Sequence, residues 1–429
     1  MNTKELIKAI KCGGFDEMFR ELYGSARLAD TRVKYINAIE NFERYYGEGR
    51  EGAMLFSVPG RTEICGNHTD HNGGKVVASS IYCDMIGVAA PAADKRIRVR
   101  TEGFREDIVE LPVGAPDRYP RYKSSALIAG MCAAAEKNGY SYGAFDAYTV
   151  SAVPKGSGLS SSAAFEVLIG TMIDHLFNSG RIGAVECAKM SQYSENVYFG
   201  KPCGLMDQMA CAVGGIITID FGDPADPKVE KIGFDLGENG YSLVIIATGG
   251  SHSDLNEEYA SIPAEMKKVA SAFGQEKLRG ISKEEILSRY ASLRPVCGDR
   301  AILRALHFAC ENERVDNIVA AMKRDDVDGF LSVIKASGDS SWRFLQNVTQ
   351  ARDPSEQGVA TALMLCEIFF EKYNCRGVCR VHGGGFAGTA QAFIPSEYER
   401  EFCAFIDSVM GSNSAMVMPI RHLGAVGLG

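Results

Sequence analysis

Between residues 3 and 48 apolar side chains recur every three or four positions: Leu6, Ile7 and Ile10, then Phe15, Met18, Phe19, Leu22 and Tyr23, and again from Val33 to Tyr46. That spacing predicts amphipathic helices, broken at Gly13-Gly14. This stretch carries no recognisable chemistry and reads as scaffold. From Met54 the pattern changes to strand and turn. Ile97-Arg98-Val99-Arg100 and Ile108-Val109-Glu110-Leu111 alternate as strands do, and Ala126 to Ala135 reads as helix. Phe145 to Val153, rich in aromatic, β-branched and small residues, predicts a buried strand. After a Gly/Ser segment, Ala164, Leu168, Met172 and Leu176 return to helical spacing, so a helix should begin near Ser160 with a serine as its N-cap. A further helix spans Ala184 to Phe199 and stops at Gly200. Strands follow at Ile216 to Phe221 and Tyr241 to Ala247, and residues 282–346 are mostly helical. Mixed strands and helices over 429 residues predict an α+β protein of two domains, 1–220 and 221–429.

Composition narrows the class of protein. With 46% hydrophobic and 23% charged residues the chain can bury a sizeable core, and no run approaches the roughly 18 apolar residues of a membrane-spanning helix. A formal net charge of −8 argues against a nucleic-acid surface, which needs a basic patch. Thirteen cysteines, an odd number scattered from Cys12 to Cys403, form no disulfide framework and fit a reducing cytosol. Cys375 and Cys379 lack the second Cys/His pair of a zinc site. The opening Met1-Asn2-Thr3-Lys4-Glu5-Leu6 has no signal-peptide core, so a cytoplasmic location is predicted, without membrane or nucleic-acid partners.

Candidate chemistry concentrates in four strings. Val153-Pro154-Lys155-Gly156-Ser157-Gly158-Leu159-Ser160-Ser161-Ser162-Ala163-Ala164 joins the predicted strand to the predicted helix. The first N–H groups of a helix lack internal partners and suit an anion, and Gly156 and Gly158 let them approach it without a Cβ in the way. The string reads as a phosphate cradle, or equally as an ordinary Gly/Ser turn. A Walker A loop is excluded, since its nearby candidates Gly74-Lys75 and Gly200-Lys201 are followed by Val76 and Pro202 and lack the earlier Gly. The string is not a dinucleotide fingerprint either, because Ser161 stands where the third Gly belongs.

The second string, Pro59-Gly60-Arg61-Thr62-Glu63-Ile64-Cys65-Gly66-Asn67-His68-Thr69-Asp70-His71-Asn72-Gly73-Gly74, packs donors and acceptors onto a glycine-bracketed loop. That suits a polyhydroxylated ligand. A metal site at His68 and His71 and a plain Asn-Gly hairpin turn are the other readings. The third is Gly200-Lys201-Pro202-Cys203-Gly204-Leu205-Met206-Asp207-Gln208, with Glu195 just before it. The fourth is Arg380-Val381-His382-Gly383-Gly384-Gly385-Phe386-Ala387-Gly388-Thr389. Its literal Gly-x-Gly-x-x-Gly is accidental, because too little chain follows to complete a dinucleotide fold.

These strings resemble, in order, the signatures of the GHMP small-molecule kinases. The first is similar to the Pro-x-x-x-Gly-Leu-x-Ser-Ser-Ala loop. The second resembles the galactokinase signature Gly-Arg-x-Asn-Leu-Ile-Gly-Glu-His-Thr-Asp-Tyr-Asn-x-Gly, with Arg61, Gly66, His68, Thr69, Asp70, Asn72 and Gly74 in place, while Asn67 replaces Glu and His71 replaces Tyr. The third resembles the galactokinase Gly-x-Pro-Cys-Gly-Ile-Met-Asp-Gln, and the fourth the GHMP glycine loop that packs on the phosphate loop. The resemblance implies a two-domain GHMP kinase fold with the active site in the cleft between domains. It implies ATP-dependent phosphorylation of galactose at the anomeric hydroxyl, with Mg2+. In that scheme Asp207 is the catalytic aspartate, helped by Arg61. Gly156, Ser157, Gly158, Leu159, Ser160, Ser161 and Ser162 hold ATP, and Ser162 and Glu195 hold the metal. Asn67, His68, Asp70, Gly204 and Tyr259 bind the sugar, and Asn67 makes the sugar preference the open point. Alternatives are a kinase for N-acetylgalactosamine or another sugar, or a non-catalytic galactose/ATP sensor. The intact Ser160 to Ala164 run and Asp207 favour an enzyme.

Overall fold

The computed structural model describes residues 1–153, 158–223, 226–250 and 255–429. The opening helices are Thr3–Lys11 (α1), Asp16–Tyr23 (α2) and Leu28–Tyr46 (α3). Asn2 starts α1 with a reciprocal cap: its side chain accepts from the Glu5 N–H at 3.0 Å, and Glu5 accepts from the Asn2 N–H at 2.9 Å. Leu6, Ile10, Phe19, Leu22, Tyr35, Ile39 and Phe42 from these helices close over Leu55, Ile86, Val88, Ala90 and Tyr148. The opening segment is therefore one covering layer of a large sheet.

That sheet is built from Met54–Cys65 (β1), Lys75–Pro91 (β2), Arg96–Thr101 (β3), Asp107–Glu110 (β4) and Phe145–Ser151 (β5), with Ser124–Lys137 (α4) between β4 and β5. Behind it lie Ser161–Ile173 (α5), Ala184–Tyr193 (α6) and Met206–Val213 (α7), the source of the larger core. β1 is buried at every position after its first, so it lacks the alternation of a half-exposed strand. α5 and α6 each run on into a wide π turn, at Asp174–Asn178 and Ser194–Phe199, and the second turn presents Glu195 before Gly200 ends it in the left-handed region.

Ile216–Asp220 (β6) pairs with β2, and Lys228–Ile232 (β7) pairs with β6. The second sheet starts at Tyr241–Ala247 (β8). It follows Asn256–Ala272 (α8), Lys283–Ser288 (α9), Tyr290–Cys297 (α10), Asp299–Met322 (α11), Val327–Ser340 (α12) and Gly358–Tyr373 (α13) with Val378–Val381 (β9) and Thr389–Pro395 (β10). Glu399–Met410 (α14) and Ala415–Val417 (β11) complete an order of β11-β8-β10-β9. Val426–Leu428 (β12) then returns to the first sheet, with Leu55 opposite Leu428.

The change of sheet thus falls between Ile232 and Tyr241, beyond the expected boundary at Phe221, and the last strand crosses back. The polar face of β7, with Lys228, Glu230 and Lys231 exposed, hid it from a reading based on apolar runs. The thirteen cysteines are all unpaired thiols. Among the described residues no helix is long and apolar enough to cross a membrane.

Candidate active site

The connection from β1 to β2 is clamped between the two sheets. Gly66 has φ +101°, and a Cβ there would lie 2.5 Å from the Lys75 carbonyl, so only glycine lets the loop fold back on β2. Glu311 on α11 accepts from the Gly66 N–H at 3.1 Å, and His307 one turn earlier donates to the Asn67 carbonyl at 2.9 Å. Both are fully buried. Burial favours the neutral ring and brings His307 down to about 4. Burial alone would raise Glu311, but His307, Arg380 and Arg314 bring it down to about 2.

Arg61 and Glu63, with His68, Asp70, Gly204, Asp207, Gly383 and Gly384, wall a cleft of about 610 Å³ including its open mouth. Asp207 sits in the first turn of α7. Arg61 grips it in a two-pronged bond, Nε to Oδ1 at 2.7 Å and Nη2 to Oδ2 at 2.6 Å, and the Ser160 hydroxyl donates to the same Oδ2. Burial would push the Asp207 carboxyl up, yet the Arg61 charge and its bonds hold it below the usual carboxylate range. Arg61 also donates from Nη1 to the Gly158 carbonyl, and its own N–H donates to the Leu159 carbonyl at 3.2 Å. The carboxylate, the arginine and the entry to α5 form one rigid unit.

A Cβ on Gly204 would stand 1.9 Å from Asp70 Oδ2, so glycine is what admits that carboxylate to the wall. Burial raises the Asp70 carboxyl against the pull of His68. His68 donates from Nε2 to the Gly384 carbonyl at 2.9 Å, which joins the loop to the fourth string. Beside it, burial and the neighbouring His68 bring the His71 ring down to about 3.

A second acidic group lies behind α5 and α7. Gln208 Nε2 donates to Glu195 Oε2 at 2.9 Å and to Glu166 Oε2 at 3.3 Å, and Lys201 Nζ meets Glu195 Oε1 at 3.2 Å. Glu166 Oε1 and Gln208 Oε1 are buried acceptors with no hydrogen-bond partner among the described residues. Burial, then the nearby Glu195, push the Glu166 carboxyl well up. Ser162 is four residues before Glu166 and so shares its face of α5. Among the described residues no three His, Cys, Asp or Glu side chains converge as a protein-only metal cage.

The structure places the expected site residues in different ways. Asp207, Arg61, His68, Asp70 and Gly204 come together at the cleft. Ser160 precedes α5 as expected, but it sits in the left-handed region at φ 59° and makes no cap bond, because its hydroxyl serves Asp207. Gly156 and Ser157 lie outside the described residues. Leu159 is buried and contributes only its backbone, while Ser161 opens α5. Tyr259 is not on the cleft wall: its hydroxyl donates to the Gly385 carbonyl at 2.8 Å and its ring backs Gly384, so it supports the glycine loop.

Asn67 is the main correction. Its side chain is fully buried, donating to Gly383 O at 2.6 Å and to both Glu63 oxygens at 3.1 Å, and accepting from Asn347 at 2.7 Å and Ser341 at 3.4 Å. It has no group left for a ligand. Glu63 reaches the cleft instead, held by Arg380 Nη2 at 2.8 Å. Sequence reasoning passed over Glu63, Arg380, Glu166, His307 and Glu311. Only Glu63 left a sequence signal, since it stands where the quoted signature has Asn.

Known proteins resemble this chain over most of its length. The model for the GHMP kinases N-terminal domain matches residues 125–215, and that for the galactokinase galactose-binding signature matches residues 40–91. The galactokinase of Lactobacillus helveticus is 30% identical over 378 residues, 86% of this chain and 92% of that protein. That of Streptomyces coelicolor is 32% identical over 83% of this chain and 87% of its own length. Among solved structures, Lactococcus lactis galactokinase complexed with galactose superposes with a TM-score of 0.77 at 24% identity, covering 92% of this chain and 99% of that one. Methanococcus jannaschii mevalonate kinase shares the fold at a TM-score of 0.59 and 13% identity, over 86% and 99%.

Proposed function

Since the chain belongs to the galactokinase family, we propose that it transfers the γ-phosphoryl group of ATP to the anomeric hydroxyl of galactose, giving galactose 1-phosphate and ADP. The observation that carries this reading is the Arg61–Asp207–Ser160 unit, which opens on the cleft and abuts the N-terminus of α5. Phosphoryl transfer asks a protein mainly for positioning and charge stabilisation. Asp207, kept ionised by Arg61, accepts or polarises the proton of the attacking hydroxyl. Arg61, fixed between Asp207 and Gly158, offsets charge on the phosphoryl group in flight. The free N–H groups at the start of α5, with Gly156 to Ser162, cradle the phosphates. His68 and Asp70 bind sugar hydroxyls, and Gly204 makes room for Asp70.

The acidic group behind α5 fits Mg2+. This ion takes one or two carboxylates plus phosphate oxygens rather than a full protein cage, and buried acceptor oxygens beside Glu195 supply hard ligands. Ser162 and Glu195 would hold it, where it would neutralise charge on the β- and γ-phosphates. Unpaired thiols and an acidic chain support a cytoplasmic setting, and the sheet change between Ile232 and Tyr241 supports two domains with the cleft between them.

The test is ADP release from the full chain over a panel of free sugars, including galactose, N-acetylgalactosamine, glucose and arabinose. Turnover is expected to be fastest with galactose. A faster sugar would replace galactose in this reading, and sugar binding without ADP from any member would make the protein a sensor.

A further inference from the structure

The quoted signature has Asn and Glu where this chain has Glu63 and Asn67, so the two side chains are exchanged across the turn at Gly66. The geometry gives that exchange a consequence. Position 67 is sealed inside, with every donor and acceptor of Asn67 engaged by protein. Position 63 is on the cleft wall. Glu63 Oε1 accepts from Arg380 Nη2 at 2.8 Å and from Asn67 Nδ2 at 3.1 Å, whereas among the described residues Oε2 accepts from Asn67 alone. A carboxylate oxygen takes about two hydrogen bonds, so Oε2 has capacity for one more donor. Only 4% of the Glu63 side chain is exposed and its Arg380 partner is fully buried. The charge therefore faces the cleft with little competition from water. Arg61 and Glu63 are two residues apart on β1 and point to the same side, about 7 Å from one another. Thr62 between them points the other way, to Gln391 at 3.0 Å. One hexose ring spans that separation from the Asp207 end to the Glu63 end.

We propose that Glu63 is the sugar-reading carboxylate of this chain: it accepts a hydrogen bond from one substrate hydroxyl remote from the anomeric carbon, and Asn67 and Arg380 are positioning residues that orient it. The inference rests on the sugar-kinase reading, and it is independent of which sugar is preferred. Loss of a hydrogen bond to a charged acceptor lowers kcat/KM by roughly 10- to 100-fold.

The experiment measures kcat/KM for the preferred sugar and for its 2-, 3-, 4- and 6-deoxy analogues, with the wild-type full chain, Glu63→Gln and Glu63→Asn. The second variant is the side chain of the quoted signature and guards against misfolding of the first. In wild type, one remote deoxy analogue should be roughly 10- to 100-fold poorer than the parent sugar. In the neutral variants that one ratio should shrink to below about fivefold while the other analogues keep theirs. Two results overturn the proposal: no remote analogue penalised in wild type, or a penalty of the same size in the neutral variants. If the sugar panel replaces galactose, the deoxy series of the new sugar is used, so a wrong substrate and a wrong residue give different results.

Discussion

Two arginine–carboxylate pairs border the same cleft and differ in what surrounds them. In Arg61–Asp207 a third of the acid side chain is exposed, and a serine hydroxyl shares it; in Arg380–Glu63 both partners are buried almost completely. In the proposed reaction the first pair presents a charge to the reacting atoms. The second joins the second sheet to β1, since Arg380 on β9 also donates from Nη1 to the Ile64 carbonyl at 2.5 Å. The contrast teaches that one ion-pair chemistry can leave an acid partly open, as at Asp207, or hold it almost wholly enclosed while tying two sheets together, as at Glu63. Breaking each pair should therefore damage different observables.

The largest effect is expected at the open pair. Asp207→Asn keeps shape and removes the charge, and kcat should fall about 10³-fold, within the range for loss of a general base, with sugar binding little changed. A variant turning over near the wild-type rate would remove Asp207 from the chemistry. Next comes the closed pair. Arg380→Met leaves Glu63 charged and buried, so urea denaturation should show a loss of about 3 kcal/mol. A loss below about 1 kcal/mol would mean that the closed pair contributes little to stability.

The third test moves from the pairs to the acid group behind them. Glu195→Gln supplies a weaker hard-cation ligand, so the Mg2+ concentration for half-maximal rate should rise several-fold, and so should the midpoint of Mg2+-dependent nucleotide binding. Unchanged titrations would put the ion elsewhere.

The smallest effect is a pH dependence of the clamp. His71 and His307 are neutral in the folded chain, their pKa values brought down to about 3 and about 4. The unfolded chain titrates each near 6.5, so as pH falls from 6.5 towards 4 the unfolded state takes up protons that the native state refuses, and stability declines. His71→Gln should make that decline shallower in urea melts at pH 7, 6 and 5. An equal slope in both proteins would show that the folded ring takes up its proton as freely as the unfolded one.

What the sequence disclosed follows from the same contrast. The open pair belongs to contiguous strings, so Arg61, His68, Asp70 and Asp207 could be read before any fold was known, as could the helices packed on one face of the first sheet. The closed pair and the clamp are made across the chain: Glu311 meets Gly66 over a separation of 245 residues, and Arg380 meets Glu63 over 317. Helical periodicity in 282–346 announces α11 without announcing that His307 and Glu311 point inward at a loop. Asn67 misled because a short polar residue in a ligand-like string says nothing about which way it faces. Its reciprocal partner Glu63, four residues earlier in the same string, was the available clue.

The return of β12 to β1 has a consequence for how the protein is assembled. The edge of β1 at Leu55, Phe56 and Ser57 is completed by Leu428, Gly427 and Val426. Close by, the buried Arg421 reaches Ser57 Oγ at 2.7 Å and the Asp84 carboxylate at 3.5 Å. A fragment cut at the change of sheet would have an open, apolar strand edge and a buried acid stripped of one cation, the features that drive strands of separate molecules together. Every intermediate on the ribosome passes through that condition until residues 421–428 emerge. Final closure of the first sheet is thus a late, long-range step, and chaperone capture or aggregation during synthesis should concentrate on the exposed margin of β1.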